Sequence, residues 1–310
     1  MGIPFSQKTW RSLGLTIMLV TLVALAAGCG SAAPEPTAGP AEAEATPEAA
    51  GEESAVAYPL AATAWDLDYF GPPDQSTPVL PDTRATVVYF WDRYAGFDGC
   101  NWFAGVYSAT PGGELRMEAP SRTAYANFCG SAELNEQSSR YVASLLSSVE
   151  YQLEGEQLIT NAAMDQRLLT YNPAKPVPML GTAWRLELWW RTDLRLWDAV
   201  VPEVMTTITF GEAGEASGSG GCNNYTVSYE GDLQVEKVIE ATATYAELPT
   251  LTFGPVAAQL ATCAEPEGIM DQEQAYFTAL GSVAYYFKLG GMLMMLDAEG
   301  VPLLMFSGGN

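Results

Sequence analysis

The spacing of apolar residues divides this chain into stretches of different character. From Leu13 to Ala27 nearly every residue is apolar, whereas from 30 to 57 the chain is Ala, Pro, Glu, Gly, Ser and Thr, with Val56 the lone larger aliphatic. Beyond that, short β-branched and aromatic runs alternate with stretches at helical spacing. Thr86-Val87-Val88-Tyr89-Phe90 and Thr207-Ile208-Thr209-Phe210 predict strands. Tyr141, Leu145, Leu146 and Val149 fall at helical intervals, as do Tyr276, Leu280 and Val283, so one amphipathic helix is expected in each half. Each helix leads into a terminal pair of strands, near Tyr151 to Ile159 with Arg167 to Tyr171, and Ala284 to Leu296 with Pro302 to Phe306. Gly290-Gly291 and Glu299-Gly300 supply turns in the second half.

The pattern occurs twice because the chain repeats itself. Ala62-Thr63-Ala64-Trp65-Asp66-Leu67 returns as Gly181-Thr182-Ala183-Trp184-Arg185-Leu186. Gly99-Cys100-Asn101 with Tyr107 returns as Gly221-Cys222-Asn223 with Tyr229 at the same spacing, and Gly113-Glu114-Leu115 aligns with Gly231-Asp232-Leu233. The repeat places one domain at 58–172 and another at 181–310, joined by a short stiff linker, 173–180, that carries Pro173, Pro176 and Pro178. Glycine before the cysteine permits a tight turn, and asparagine tolerates left-handed backbone while bonding its own main chain. Gly99, Asn101, Gly221 and Asn223, with Tyr107 and Tyr229, are therefore read as structural.

At the N-terminus Lys8 and Arg11 precede the apolar stretch, and small residues lead out of it to Gly28-Cys29. The fifteen residues from Leu13 to Ala27 rise about 22 Å as a helix, short of a hydrocarbon core of roughly 30 Å. Residues 1–28 thus read as a signal peptide. Leu25-Ala26-Ala27-Gly28-Cys29 resembles the bacterial lipobox, with Ala26 where a larger aliphatic is usual. That resemblance implies lipidation of Cys29, which becomes the mature N-terminus. Residues 29–57 lack the apolar surface to offset their ordering entropy, and read as a disordered acidic tether. The chain is expected to be exported and lipid-anchored to the extracytoplasmic face of a bacterial membrane, which the lipid makes its first partner.

Composition narrows the chemistry. Fourteen Lys and Arg stand against 37 Asp and Glu, a net charge of −23, so nucleic acid is excluded as a partner for want of clustered cations. There is no histidine, which removes Ser-His-Asp and Cys-His catalysis and every His-containing zinc site. Without a P-loop, a GxGxxG after a strand or an EF-hand loop, no cofactor is expected. Five cysteines less Cys29 leave four, two per copy. In an exported protein the simplest pairing is Cys100 with Cys129 and Cys222 with Cys263. Each such bridge contributes about 3 to 4 kcal/mol on the chain-entropy model. A metal held by all four cysteines would need CxxC spacing, which is absent, so no metal is expected.

Trp184-Arg185-Leu186, the Thr207 to Phe210 strand, Ser217 through Tyr225, Ala261-Thr262-Cys263 and Glu273 with Phe277 and Leu280 together resemble the META domain, also called the HslJ-like family. The resemblance covers about 181 to 307. The copy at about 60 to 172 departs from it, with Gly96-Phe97-Asp98-Gly99 in place of the glycine run and Trp102-Phe103 in place of the polar pair after the asparagine. The resemblance implies an α+β, β-rich fold: two tandem small domains, each a curled antiparallel sheet or partial barrel with one packed helix. It also implies occurrence in bacterial envelope lipoproteins and links to envelope stress or antibiotic tolerance, without an established enzymatic activity.

The function expected is a non-enzymatic binding or interaction module of the cell envelope, with an envelope protein or small ligand as partner. Its candidate surface is the stretch Leu188 to Trp197, where Trp189, Trp190, Arg191, Arg195 and Trp197 gather residue types enriched at binding hot spots. The competing reading has these tryptophans sealing a barrel end or the contact between the domains. One alternative is a carboxylate-based cell-wall glycan hydrolase, for which no acidic pair stands out. Another is a carrier of a lipid or small apolar ligand inside a partly open barrel, lined by Met292, Met294, Met295 and Met305, residues that more often fill core gaps.

Overall fold

The computed structural model describes residues 59–122, 129–191, 196–201, 203–233 and 247–309; the signal peptide, the tether, Cys29 and Arg195 lie outside them. The first copy runs β1 (Thr63–Phe70), β2 (Thr77–Pro78), β3 (Thr86–Phe90), β4 (Arg93–Phe97), β5 (Trp102–Ala109), β6 (Leu115–Met117), β7 (Ser121–Arg122), α1 (Ala132–Ser147), β8 (Glu150–Glu154), β9 (Gln157–Ala162) and β10 (Gln166–Pro173). The second runs β11 (Ala183–Arg191), β12 (Leu196–Ala199), β13 (Thr207–Phe210), β14 (Glu215–Ser219), β15 (Asn224–Gly231), β16 (Leu251–Phe253), β17 (Ala257–Ala258), α2 (Ile269–Leu280), β18 (Tyr285–Leu289), β19 (Met292–Leu296) and β20 (Pro302–Ser307).

The sheets follow one path drawn twice, β6-β5-β4-β3-β1-β10-β9-β8 and β16-β15-β14-β13-β11-β20-β19-β18. In each the end strands approach one another. The Leu115 and Tyr151 N–H groups donate to Val149 and Gly113 at 2.8 and 2.7 Å, and those of Leu251 and Tyr286 to Ala284 and Pro249 at 3.0 and 3.1 Å. Each copy is therefore a nearly closed antiparallel barrel, which leaves little unpaired edge. Among the described residues no helix is long and apolar enough to cross a membrane.

Each helix lies on its own barrel. Ser131 caps α1 by accepting from the Leu134 N–H at 3.1 Å, and Tyr141, Val142 and Leu145 of that helix enter the first core. Tyr276 and Leu280 of α2 enter the second. The two interiors hold the same aromatic trio with one hydroxyl moved. Tyr141 meets Phe103 and Tyr171, whereas Tyr276 meets Tyr225 and Phe306. The Tyr171 hydroxyl donates to Tyr141 at 3.4 Å, and the Tyr225 and Tyr276 hydroxyls pair at 2.6 Å. Either arrangement gives a buried hydroxyl its partner.

Several expectations are corrected. Ser148 N–H closes on Leu145 O and ends α1 at Ser147, so Val149 lies off the helix and is 45% exposed. Val283 also lies beyond its helix, though it stays buried. The single strand expected from Tyr151 to Ile159 is a hairpin of β8 and β9, because the polar step Gly155-Glu156 turns the chain. Leu115 corresponds to Leu251, not Leu233. Leu115 and Leu251 face Ala109 and Gly231 at equivalent places, and a longer segment intervenes in the second copy. The Pro-rich segment does not stand free between domains: Pro173 pairs with Trp65, and Val177 and Met179 are buried in the second core.

What joins the copies is the outside of each barrel. Val88, Phe90, Ala95 and Ala104 point out of the first barrel and cluster with Phe287, Leu289, Met292, Met294 and Met305, which point out of the second. Both β3 and β19 are consequently buried on both faces. The equivalent positions on the sides that do not face the other copy are mostly polar. Thr209, Ser217 and Thr226 replace Val88, Ala95 and Ala104. Gln152, Glu154, Gln157 and Thr170 replace Phe287, Leu289, Met292 and Met305, with Ile159 the apolar exception opposite Met294. Burying a Met or Phe contributes about 1.5–3 kcal/mol, so the two copies stack through one complementary pair of faces. Of the four methionines considered as cavity lining, only Met295 lies in a barrel core.

Candidate functional site

The Gly-Cys-Asn elements form tight turns tied to the helices. Gly99 and Gly221 hold φ of 97° and 122°, left-handed values open to glycine. The disulfides pair as expected, Cys100 with Cys129 and Cys222 with Cys263. In the second copy Glu273 of α2 accepts from the Cys222 and Asn223 N–H groups at 3.0 and 2.6 Å and from Asn223 Nδ2 at 2.6 Å. Asn223 also exchanges hydrogen bonds with Ala261 at 3.0 and 2.9 Å. The first copy replaces this carboxylate with one from the turn itself, since Asp98 accepts from Cys100 and Asn101 at 3.0 and 2.7 Å. Asn101, Tyr107 and Tyr229 are buried around these cores. Asp98, Glu273 and the asparagines stabilise the turn that holds each disulfide, whereas Tyr107 and Tyr229 pack in the barrel against Tyr89 and Phe210.

The tryptophans fall on the β11–β12 hairpin, where they are half-buried. Trp190 meets Trp197 edge to face at 5.4 Å, Arg191 lies over Trp189 at 5.3 Å, and its guanidinium reaches Asp198 at 3.4 Å. Trp189 packs against the second core and Trp197 against the cluster between the copies. Among the described residues of the hairpin, Trp189 and Trp197 thus contact the packed cores and Trp190 contacts Trp197.

A cavity of about 310 Å³ opens instead between the copies, lined by both. Trp65, Phe97 and Trp102 supply aromatic walls from the first copy, and Leu186, Val204 and Met292 apolar ones from the second. Arg84 enters from the first copy, held to Asp66 at 3.0 Å. It lies across Gly291, where a Cβ would fall 2.9 Å from both its Nη1 and the Gly308 carbonyl oxygen; the arginine tip could shift, but the backbone contact disfavours a side chain there.

Glu187 lines the same cavity. Pairing along β11 and β20 slips between Leu186 and Leu188, so Glu187 occupies a β-bulge, a device that re-aims a side chain. Only 5% of it is exposed. Ser307 donates to its Oε1 at 2.6 Å and Arg185 Nε stands 3.4 Å away. The Trp102 indole of the other copy also hydrogen-bonds it. Burial pushes its carboxyl above the usual carboxylate range, and these three contacts pull against that shift without cancelling it. The first copy has the same bulge at Asp68, but there the acid meets Asn172 at 2.8 Å on an exposed surface.

Glu187 and Arg84 were not singled out from the sequence, and Trp102 only as a departure from the family pattern. The available signal was an acid inside the apolar run Leu186-Glu187-Leu188-Trp189-Trp190, a position where a charge is costly unless partnered.

The META domain family model matches the chain twice, over residues 58–175 and 177–308. No curated protein matches it. Among solved structures, the chain is similar to the NMR structure of a protein from Burkholderia xenovorans, 22% identical, over 44% of this chain and 92% of that one, with a TM-score of 0.31. It is also similar to the crystal structure of a duf4847 family protein from Bacteroides vulgatus, 12% identical, over 36% and 93%, with a TM-score of 0.26.

Proposed function

We propose that this chain, which belongs to the META domain family through both of its copies, is a non-enzymatic binding module of the bacterial cell envelope that takes a small ligand between those copies. The observation that carries this reading is the cavity of about 310 Å³ with walls from both domains. It has the character of a ligand site, apolar and aromatic surface with a few convergent polar groups. Two disulfides fit an oxidising, exported setting. A lipid on Cys29 and an acidic tether would hold the module at the membrane surface, where capture of a small molecule fits a part in envelope stress or antibiotic tolerance.

A thermal-shift screen of small envelope-permeant compounds against the full chain in detergent tests the reading. Val201 lines the cavity and is half-buried, so Val201→Trp should fill it. Compounds that stabilise the wild type and fail to stabilise an equally folded Val201→Trp support the proposal, and hits indifferent to that change oppose it. Turnover of cell-wall glycan, abolished by a single Asp or Glu change, would replace it with the hydrolase reading. Intact-mass measurement of the protein from its host membrane checks the lipid on Cys29.

A further inference from the structure

We propose that the cleft between the copies recognises a small organic cation, an ammonium group on an apolar or aromatic body, with Glu187 as its anionic partner. This rests on the cleft being the binding site, and it adds the chemistry of the ligand. A carboxylate offers about four acceptor sites. Among the described residues Glu187 receives Ser307 at 2.6 Å, the Trp102 indole and the long contact to Arg185 at 3.4 Å. Acceptor capacity therefore remains on a group that is buried and incompletely compensated, and an ammonium brought to it would relieve that cost.

The surroundings select for the same class. Trp65, Phe97 and Trp102 present ring surfaces that attract cations and accommodate an apolar body. The cations already in the cleft are neutralised in place, Arg84 by Asp66 and Arg185 by Glu187 itself. An anionic ligand would have to displace those carboxylates against the field of a chain carrying −23. Arg185 acts as an internal stand-in for the ligand. Its side chain is 56% exposed whereas that of Glu187 is 7% exposed, so the guanidinium can swing into water as the ammonium takes its place against the buried carboxylate, which would otherwise be left without a cation.

The test is isothermal titration calorimetry on the full chain in detergent, with 2-phenylethylammonium and 3-phenylpropionate as matched probes of opposite charge. The expected result is saturable binding of the ammonium, weakened at least tenfold by Glu187→Gln and tightened severalfold by Arg185→Gln, which removes the competing guanidinium. Opposite responses to these two substitutions do not arise from misfolding. If Glu187→Gln fails to fold, the tightening in Arg185→Gln carries the test alone. Equal or tighter binding of 3-phenylpropionate overturns the cationic class while leaving the cleft as a binding site. Binding of neither probe, or binding unmoved by both substitutions, overturns the cation proposal, and the screen against Val201→Trp then decides whether the cleft binds anything at all.

Discussion

Exchanging the carboxylate that holds the Gly-Cys-Asn turn should convert the second copy's arrangement into the first's. The turns superpose by their own hydrogen bonds, Gly220 N–H to Asn223 O at 2.8 Å and Asp98 N–H to Asn101 O at 3.0 Å. The helices superpose through Gln272 and Gln137, whose Oε1 atoms accept from Val201 and Leu80 N–H and whose Nε2 atoms donate to Thr206 and Thr83. Gly220 thus stands where the first copy has Asp98, and Glu273 where it has Ser138. Glu273→Ser removes the acceptor from three donors, two of them backbone N–H groups. Each buried donor left unpaired costs about 1–3 kcal/mol, so the loss should be about 4 kcal/mol. Gly220→Asp alone should cost about 2 kcal/mol, typical of overpacking, because a Cβ there falls 2.6 Å from the Phe277 ring and 2.7 Å from Glu273 Oε2. In the double variant the new aspartate can accept from Cys222 and Asn223 as Asp98 does in its own turn. The combined cost should then be about 2 kcal/mol, well under the sum of the single costs, with a coupling of several kcal/mol. Adding Phe277→Val, the residue held by Val142 in the first copy, should recover part of the remainder. Urea unfolding followed by tryptophan fluorescence, with the disulfides intact, measures all four proteins. Additive losses would refute the equivalence.

Three further outcomes are expected. Among the described residues the buried Tyr89 hydroxyl has no hydrogen-bond partner, and Phe210 is its counterpart, so Tyr89→Phe should raise stability by about 1 kcal/mol; a loss of that size would show that the hydroxyl is satisfied. Met294 is fully buried outside its own barrel, so Met294→Ala should cost about 3 kcal/mol in urea unfolding. Thr226→Ala on the uncovered face should stay within about 0.5 kcal/mol, and equal effects at the two sites would contradict packing between the copies. The folded chain holds the Glu187 carboxyl above its ordinary value, with Arg185, Arg84, Asp66 and Glu203 the charged groups around its cleft. Its stabilising contribution is therefore complete below the ordinary carboxylate range, where both states are protonated, and falls as pH rises through the elevated folded value. Glu187→Gln should flatten that part of the stability profile and gain on the wild type toward neutral pH; parallel profiles would count against the buried position of the acid.

The sequence by itself determined whatever is encoded locally or by repetition. Alternation along Thr207 to Phe210 predicts a strand because successive side chains take opposite faces. The recurrence of Gly-Cys-Asn marks two copies, and two cysteines in each copy leave one simple pairing. Tyr141 with Leu145, and Tyr276 with Leu280, predict the helices because residues four apart share a face. The end of α1 before Val149 was not legible, because a helix stops where a cap and the next strand compete for the chain.

Only the tertiary structure decided what covers a second face. The methionines of β19 carry no label distinguishing a barrel interior from an interface, and Met292 and Met294 face the other copy because Val88 and Phe90 meet them there. The source of the carboxylate at each turn was equally hidden, since Asp98 and Glu273 reach the same donors from elements far apart in sequence. Glu187 shows the reason most directly. Its partner Ser307 lies 120 positions along the chain, and Trp102 belongs to the other copy. The burial that makes this carboxylate costly, and so a candidate for a ligand, exists only once both barrels have closed and stacked.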